Sequence, residues 1–205
     1  MGDIMLGALR ASLATWLICG LVYPLALTGL GQWLLPVQAS GSLERSADGS
    51  VIGSRLIGQR FDGPQWFHGR PSATTAPDPN DPSGTVPAPY NAASSSASNL
   101  GPLSASLGAR LKADRAALER AQPELAGARL PADMLTASAS GLDPDISPAN
   151  AALQVPRVAR VRGVPVALIE RLVARHITPR SLGVLGEPRV NVLALNLSLQ
   201  RLDPR

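Results

Sequence analysis

The sequence predicts a small α+β domain carried outside the cytoplasm by a single N-terminal transmembrane helix. Three observations predict it. Residues 11–43 contain no charged side chain. Leucines and valines recur at helical spacing through the second half of the chain, after shorter, glycine-bounded runs that suit strands. The 205 residues fit one ordinary domain of about 150 residues plus an appendage. The expected organisation is a cytoplasmic tail and span over 1–36, a linker over 37–52 and an extracytoplasmic domain over 53–205.

The span is strongest over Ala11–Leu35, long enough to cross a hydrocarbon core that needs about 20 apolar residues. Trp33 sits near its far end, where an indole favours the headgroup interface. Pro24 is expected to kink the helix, which membrane spans tolerate. A cleaved signal peptide is the alternative, with Val37-Gln38-Ala39 as an acceptable cleavage site, but a signal's apolar region is about 7–15 residues and this one is longer. Ala8, Ser12, Thr15 and Cys19 share one helical face. Small residues let helix backbones approach closely in lipid, where association depends on packing, so this face is expected to dock on other membrane helices. Charge does not orient the span: Asp3 and Arg10 flank one end, Glu44, Arg45 and Arg55 the other.

Beyond the span, residues 37–50 read as polar linker. Gly53–Phe61 reads as a strand, and residues 72–98, rich in Pro, Ser, Ala and Asn, as an exposed or disordered loop. Pro102 is expected to open a helix that ends near Ala121, with Leu103, Leu107, Leu111 and Leu118 on one face. Ala132–Ser138 reads as a short strand. Ser147 as N-cap and Pro148 in the first turn predict a helix to about Arg162, bent at Pro156. A further helix fits Pro165–His176 with Val166, Ile169, Leu172 and Val173 inward. Asn191 caps a last helix through Gln200, although the alternation Leu193, Leu195, Leu197, Leu199 also suits a strand.

Several chemistries are excluded. Cys19 is the only cysteine, so no disulfide or thiolate cluster forms within the chain. Lys112 is the only lysine and lies mid-helix, so no phosphate-binding P-loop exists. His68 and His176 are far apart, lack i+4 partners and read as structural. Net charge is +4, and the arginines read as scattered surface charges. Only Arg157, Arg160 and Arg162 approach a basic stripe, no aromatic accompanies them, and nucleic acid is not an expected partner. The enzymatic alternative is a membrane-anchored or secreted hydrolase using a serine such as Ser138, but the chain has no Gly-x-Ser-x-Gly elbow. Asp143, Asp145 and Ser147 suit turn and cap roles better than a calcium loop.

A series of short motifs runs in order along the chain: Gly53-Ser54, Leu56-Ile57-Gly58-Gln59, Phe67-His68-Gly69-Arg70-Pro71-Ser72-Ala73, Tyr90-Asn91, Ser98-Asn99-Leu100-Gly101-Pro102, Leu135-Thr136-Ala137-Ser138, Ser140-Gly141-Leu142-Asp143-Pro144, Ile146-Ser147-Pro148, Gln154-Val155, Arg157-Val158-Ala159 and Leu185-Gly186-Glu187-Pro188-Arg189-Val190-Asn191-Val192-Leu193. With the N-terminal span, these resemble the C-subunit family of the bacterial Kdp high-affinity potassium-transporting P-type ATPase. Two positions depart from that pattern: Asp145 where the family favours His, and Ala97 where it favours Gly.

The resemblance implies a non-catalytic accessory subunit in the bacterial inner membrane. Its partners would be a channel-like potassium-translocating subunit, the P-type ATPase subunit and a small single-span subunit, with lipid around the span. It implies no tightly bound cofactor, and ATP only through the complex, whose ATP affinity the family is proposed to raise. Gly69, Arg70 and Pro71 are expected to form an exposed turn whose arginine reaches a partner carboxylate or carbonyl. Asn99, Gly101 and Pro102 are expected to turn the chain into the Leu103 helix, with glycine allowing unusual backbone angles.

Overall fold

The computed structural model describes residues 1–46 and 48–202; Ala47 of the expected linker and residues 203–205 of the expected domain lie outside the described residues. The chain divides into two compact units, Met1–Ser54 and Arg55–Arg205.

In the first unit, α1 (Gly2–Leu17), a π-turn (Ile18–Val22) and α2 (Tyr23–Leu34) form one continuous helix. It is long and apolar enough to cross a membrane, with mean hydropathy reaching 1.8. The π-turn lies immediately before Tyr23-Pro24. Proline lacks an N–H and its ring crowds the carbonyl four residues earlier, here that of Gly20; the wider π-turn absorbs both without ending the helix. The chain then makes a single turn, α3 (Pro36–Ala39), and reverses at Gly41 and Ser42, whose φ values are 85° and 49°. It enters an antiparallel pair, β1 (Leu43–Arg45) with β2 (Val51–Ser54). The expected linker therefore contains a helical turn, β1 and the start of β2.

The strand expected over Gly53–Phe61 stops at Ser54. In the second unit the chain after Arg55 is irregular, because Gly58 N–H donates to Leu142 O rather than to a neighbouring strand. The segment expected to be loop or disorder holds a hairpin, β3 (Thr75–Asp78) with β4 (Asp81–Pro87). Its short polar side chains are internal partners. Buried Thr74 donates its hydroxyl to Ala88 O at 2.6 Å and accepts from Asn91 N at 3.1 Å. Composition alone reads such residues as solvated, whereas here they satisfy backbone groups.

Next comes α4 (Ala105–Ala121), which ends as expected but starts three residues after Pro102. Ser104 is the N-cap, and Pro102 lies in a turn closed by Ser104 N donating to Gly101 O at 3.0 Å. Leu103, expected on the leucine face of this helix, lies before it and is 99% exposed. The strand expected over Ala132–Ser138 is instead a 3₁₀ turn, Ala132–Met134, followed by irregular chain. There the Thr136 hydroxyl and N–H both return to Ala132 O, leaving no pattern for a ladder.

The helices of the remainder lie close to where the sequence places them, and its three short strands were not expected. β5 (Asp145–Ile146) leads into α5 (Pro148–Arg162), with Ser147 Oγ accepting from Asn150 N at 3.1 Å. Gly163 ends α5 at φ 65°, a left-handed position suited to glycine. α6 (Val166–His176) buries Ile169 and Val173, whereas Val166, expected inward, is exposed. β6 (Ile177–Thr178) and β7 (Arg189–Asn191) complete a three-stranded antiparallel sheet in the order β5-β7-β6. α7 (Val192–Gln200) is a helix, capped by Asn191 Oδ1 accepting from Ala194 N at 3.0 Å. Phe67, Ile146, Val155, Val158, Ile169, Val190, Leu195 and Leu199 form the core between α5, α6, α7 and the sheet. The fold is mixed helix and sheet with one candidate apolar N-terminal helix.

Candidate interaction surface and the clamped segment

The segment 64–68 is irregular yet runs through the core, so its backbone polar groups need partners. Side chains supply them. Asn196 of α7 accepts from Phe67 N and donates to Phe67 O, both at 2.9 Å. Gln154 of α5 repeats the arrangement on His68, at 2.8 and 3.0 Å. Each amide thus presents one acceptor and one donor, as a neighbouring strand would. Arg157, only 2% exposed, donates to Pro64 O and Trp66 O and to Gln154 Oε1. Burial lowers its guanidinium pKa to about 10. Arg162 donates to Gln65 O and lies 4.7 Å over the Trp66 ring. These arginines are therefore not scattered surface charges, and an aromatic does accompany them in space. Gln154 and Asn196 were missed as key residues; their signal is an amide placed on the apolar face of a helix.

Downstream, the motifs gather at one place. Arg70 Nη1 donates to Asp143 Oδ2 at 2.9 Å, and Nη2 lies 3.4 Å from Ala137 O. The carboxylate and carbonyl expected on a partner are thus found in the same chain. Gly69 is not an exposed turn residue: the Tyr90 hydroxyl occupies the space a side chain would need, and Tyr90 likewise fills the space beside Gly58. Tyr90, at φ 63°, donates its hydroxyl to Arg70 O at 2.6 Å, and burial pushes its phenol pKa up to about 12. Ser72 Oγ donates to Gly141 O at 2.7 Å and Ser138 N to Pro71 O at 3.1 Å. The left-handed residue before α4 is Asn99, at φ 51°, rather than Gly101. Beside Arg70 and Asp143 lies an open cleft of about 500 Å³, also lined by Leu56, Ile57, Ser138 and Ser140.

This arrangement does not support serine hydrolysis. Ser138 is buried and no histidine pairs with it among the described residues. His68 Nε2 donates to Gly63 O at 2.9 Å, and burial lowers its pKa. His176 does meet a serine, Ser198, at 2.9 Å, but its other nitrogen is held by Leu172 O. Ser198 sits inside α7, where the backbone N–H groups around it are committed to the helix and cannot serve as oxyanion donors. Among the described residues no group of three or more His, Cys, Asp or Glu gathers to hold a metal. Asp145, in place of histidine, accepts from Asn191 Nδ2 at 3.1 Å and pairs with Arg189 at 3.0 Å. Burial raises its pKa, outweighing both partners.

In the first unit, Ala8, Ser12, Thr15 and Cys19 are all exposed along the helix. Thr15 Oγ1 donates to Ala11 O at 2.8 Å, so its polar atom is satisfied internally and its face is fit for lipid or for another helix. Cys19 lies within the π-turn.

The family model for the c chain of the K+-transporting ATPase matches residues 5–201. The chain belongs to this family. Among its relatives, the potassium-transporting ATPase KdpC subunit of Methylobacterium nodulans is 58% identical over 202 residues, covering 97% of this chain and 98% of the relative. The KdpC subunit of Bradyrhizobium diazoefficiens is 58% identical over 90% of both chains. That of Rhodopseudomonas palustris is 57% identical over 97% of this chain and 96% of its own. A KdpC-family chain is a non-catalytic, membrane-associated subunit of an ATPase complex that takes up potassium. The hydrolase alternative falls with that membership.

Proposed function

We propose that this chain is the accessory subunit that helps assemble and stabilise the potassium-transporting complex. Its span packs on the channel-like subunit through Ala8, Ser12, Thr15 and Cys19, and its domain stands outside the cytoplasm. The ATPase subunit and a small single-span subunit complete the complex, in the bacterial inner membrane. Family membership carries this reading; the long apolar helix, with its small-residue face and the Thr15 hydroxyl satisfied internally, supports it. A domain outside the cytoplasm has little access to nucleotide, so any effect on ATP affinity is exerted through assembly rather than through a nucleotide site of its own.

The test is co-purification of the complex with the Ser12→Leu, Thr15→Leu double variant carrying a C-terminal alkaline phosphatase. Leucine is favourable in a span, so insertion survives and the reporter stays active, while the larger side chains hold the helices apart and yield of the complex falls about tenfold. Normal yield sinks the docking face. An inactive reporter on the wild-type chain sinks the orientation.

A further inference from the structure

The π-turn accommodates Pro24 by moving hydrogen bonds back along the chain, and that leaves one acceptor over. In an α-helix the carbonyl of Cys19 would accept from Tyr23 N–H, and in a π-turn from the N–H of residue 24. Tyr23 N–H instead donates to Ile18 O. Residue 24 is proline and has no N–H. Both backbone donors within reach are therefore spent or missing. Among the described residues no side chain replaces them: the Thr15 hydroxyl, one turn earlier, is committed to Ala11 O at 2.8 Å.

Cys19 lies near the middle of the apolar helix Gly2–Leu34. Its neighbours Leu17, Ile18, Leu21 and Val22 are all exposed, so in a bilayer hydrocarbon surrounds this turn. An unpaired carbonyl at that depth is costly, because no bulk water is there to bond it. Gly20 has open space where a Cβ would stand, and Cys19 is small, so another helix can come close to the backbone.

We propose that the Cys19 carbonyl accepts a hydrogen bond from an uncharged side-chain donor, a hydroxyl or carboxamide, on the helix of the channel-like subunit that packs along Ala8, Ser12, Thr15 and Cys19. The inference rests on that docking reading and adds a specific polar contact to it. The carbonyl belongs to a residue of the small face, so the helix that covers the face also reaches it. A charged donor is expensive at mid-bilayer, which selects a neutral one. A lone water is the poorer occupant, because it needs several polar partners and the flanking side chains are aliphatic.

Cys19 is the only cysteine, so cysteine labelled with carbon-13 at its carbonyl marks this one group in the whole chain. Solid-state NMR compares the full chain alone in lipid with the same chain in the purified complex, the other subunits unlabelled. The resonance should move downfield on assembly, as a carbonyl does when it accepts a hydrogen bond. With this chain deuterated and only the channel-like subunit protonated, magnetisation should pass from that subunit's protons to the carbonyl. An unmoved resonance, transfer from water, or transfer only from a different subunit overturns the proposal. Pro24→Ala supplies the missing N–H, so its resonance should already lie downfield in the chain alone and move little on assembly. If Pro24→Ala and wild type coincide in the chain alone, the carbonyl was never free and the proposal falls while the docking face stands. If the wild-type chain does not co-purify with the other subunits, the accessory-subunit reading itself fails, and this contact with it.

Discussion

α4 and α7 both read as leucine-rich helices, and they behave oppositely. α4 spans 17 residues and buries none of them; α7 spans nine and buries Val192, Leu193, Leu195, Asn196 and Leu199. α4 carries a narrow stripe of leucines between arginines and acidic residues, and Leu103, just before its N-cap, stands in water. α7 is apolar nearly all round, the signature of a helix surrounded by protein. The difference shows that helical period predicts which face is apolar, whereas burial depends on what the rest of the chain brings to that face.

The most severe way to break α7's role is to remove its one buried amide. Asn196→Leu keeps the volume and strands two buried groups, Phe67 N–H and C=O. At about 1–3 kcal/mol per unsatisfied group, the full chain should lose about 2–6 kcal/mol in urea unfolding followed by tryptophan fluorescence. A loss below about 1 kcal/mol would show that water reaches the Phe67 backbone and that the clamp is dispensable.

The caps sharpen the same contrast. Asn191 holds Ala194 N at 3.0 Å and also donates to Asp145 and to Arg55 O, so Asn191→Ala should cost about 1–2 kcal/mol. Ser104 holds Leu107 N only at 3.5 Å, and Ser104→Ala should cost about 0.5 kcal/mol, at the low end for a cap. Equal losses from the two substitutions would mean that α4 is anchored as firmly as α7.

How much of this was legible follows from which signals are local. Ser147-Pro148 and Asn191 marked helix starts because capping is decided within four residues, and both helices begin where these residues place them. Gly58 and Gly69 gave no hint that they make room for one tyrosine, Tyr90, because that contact joins parts of the chain distant in sequence. The hairpin β3–β4 was hidden for a related reason: Thr74 and Asn91 bond each other's backbone surroundings across 17 residues, and composition records only that they are polar. Arg70 was legible as important but not as paired within its own chain, since Asp143 lies 73 residues away. Leu182 was invisible as a strained position because its backbone angle is enforced by the Ser181–Leu185 bridge rather than by its own side chain.

The smallest expected effect is on the face of α4 itself. Leu111 is half-buried on a helix with no buried residue, so Leu111→Ala removes little packing and gains slightly in helix propensity. The change in stability of the isolated full chain should stay within about 1 kcal/mol. The same truncation at Leu195 on α7, which is fully buried, opens a cavity and should cost about 2–5 kcal/mol. Urea midpoints of the two variants, measured side by side, decide whether the stripes are unequal. If Leu111→Ala loses as much as Leu195→Ala, the α4 leucines are packed in solution and the contrast between the two helices collapses. If it is nearly silent, α4 holds together by its own hydrogen bonds and by surface pairs such as Arg115 with Glu119 at 2.8 Å, and its leucine face contributes little to the isolated fold.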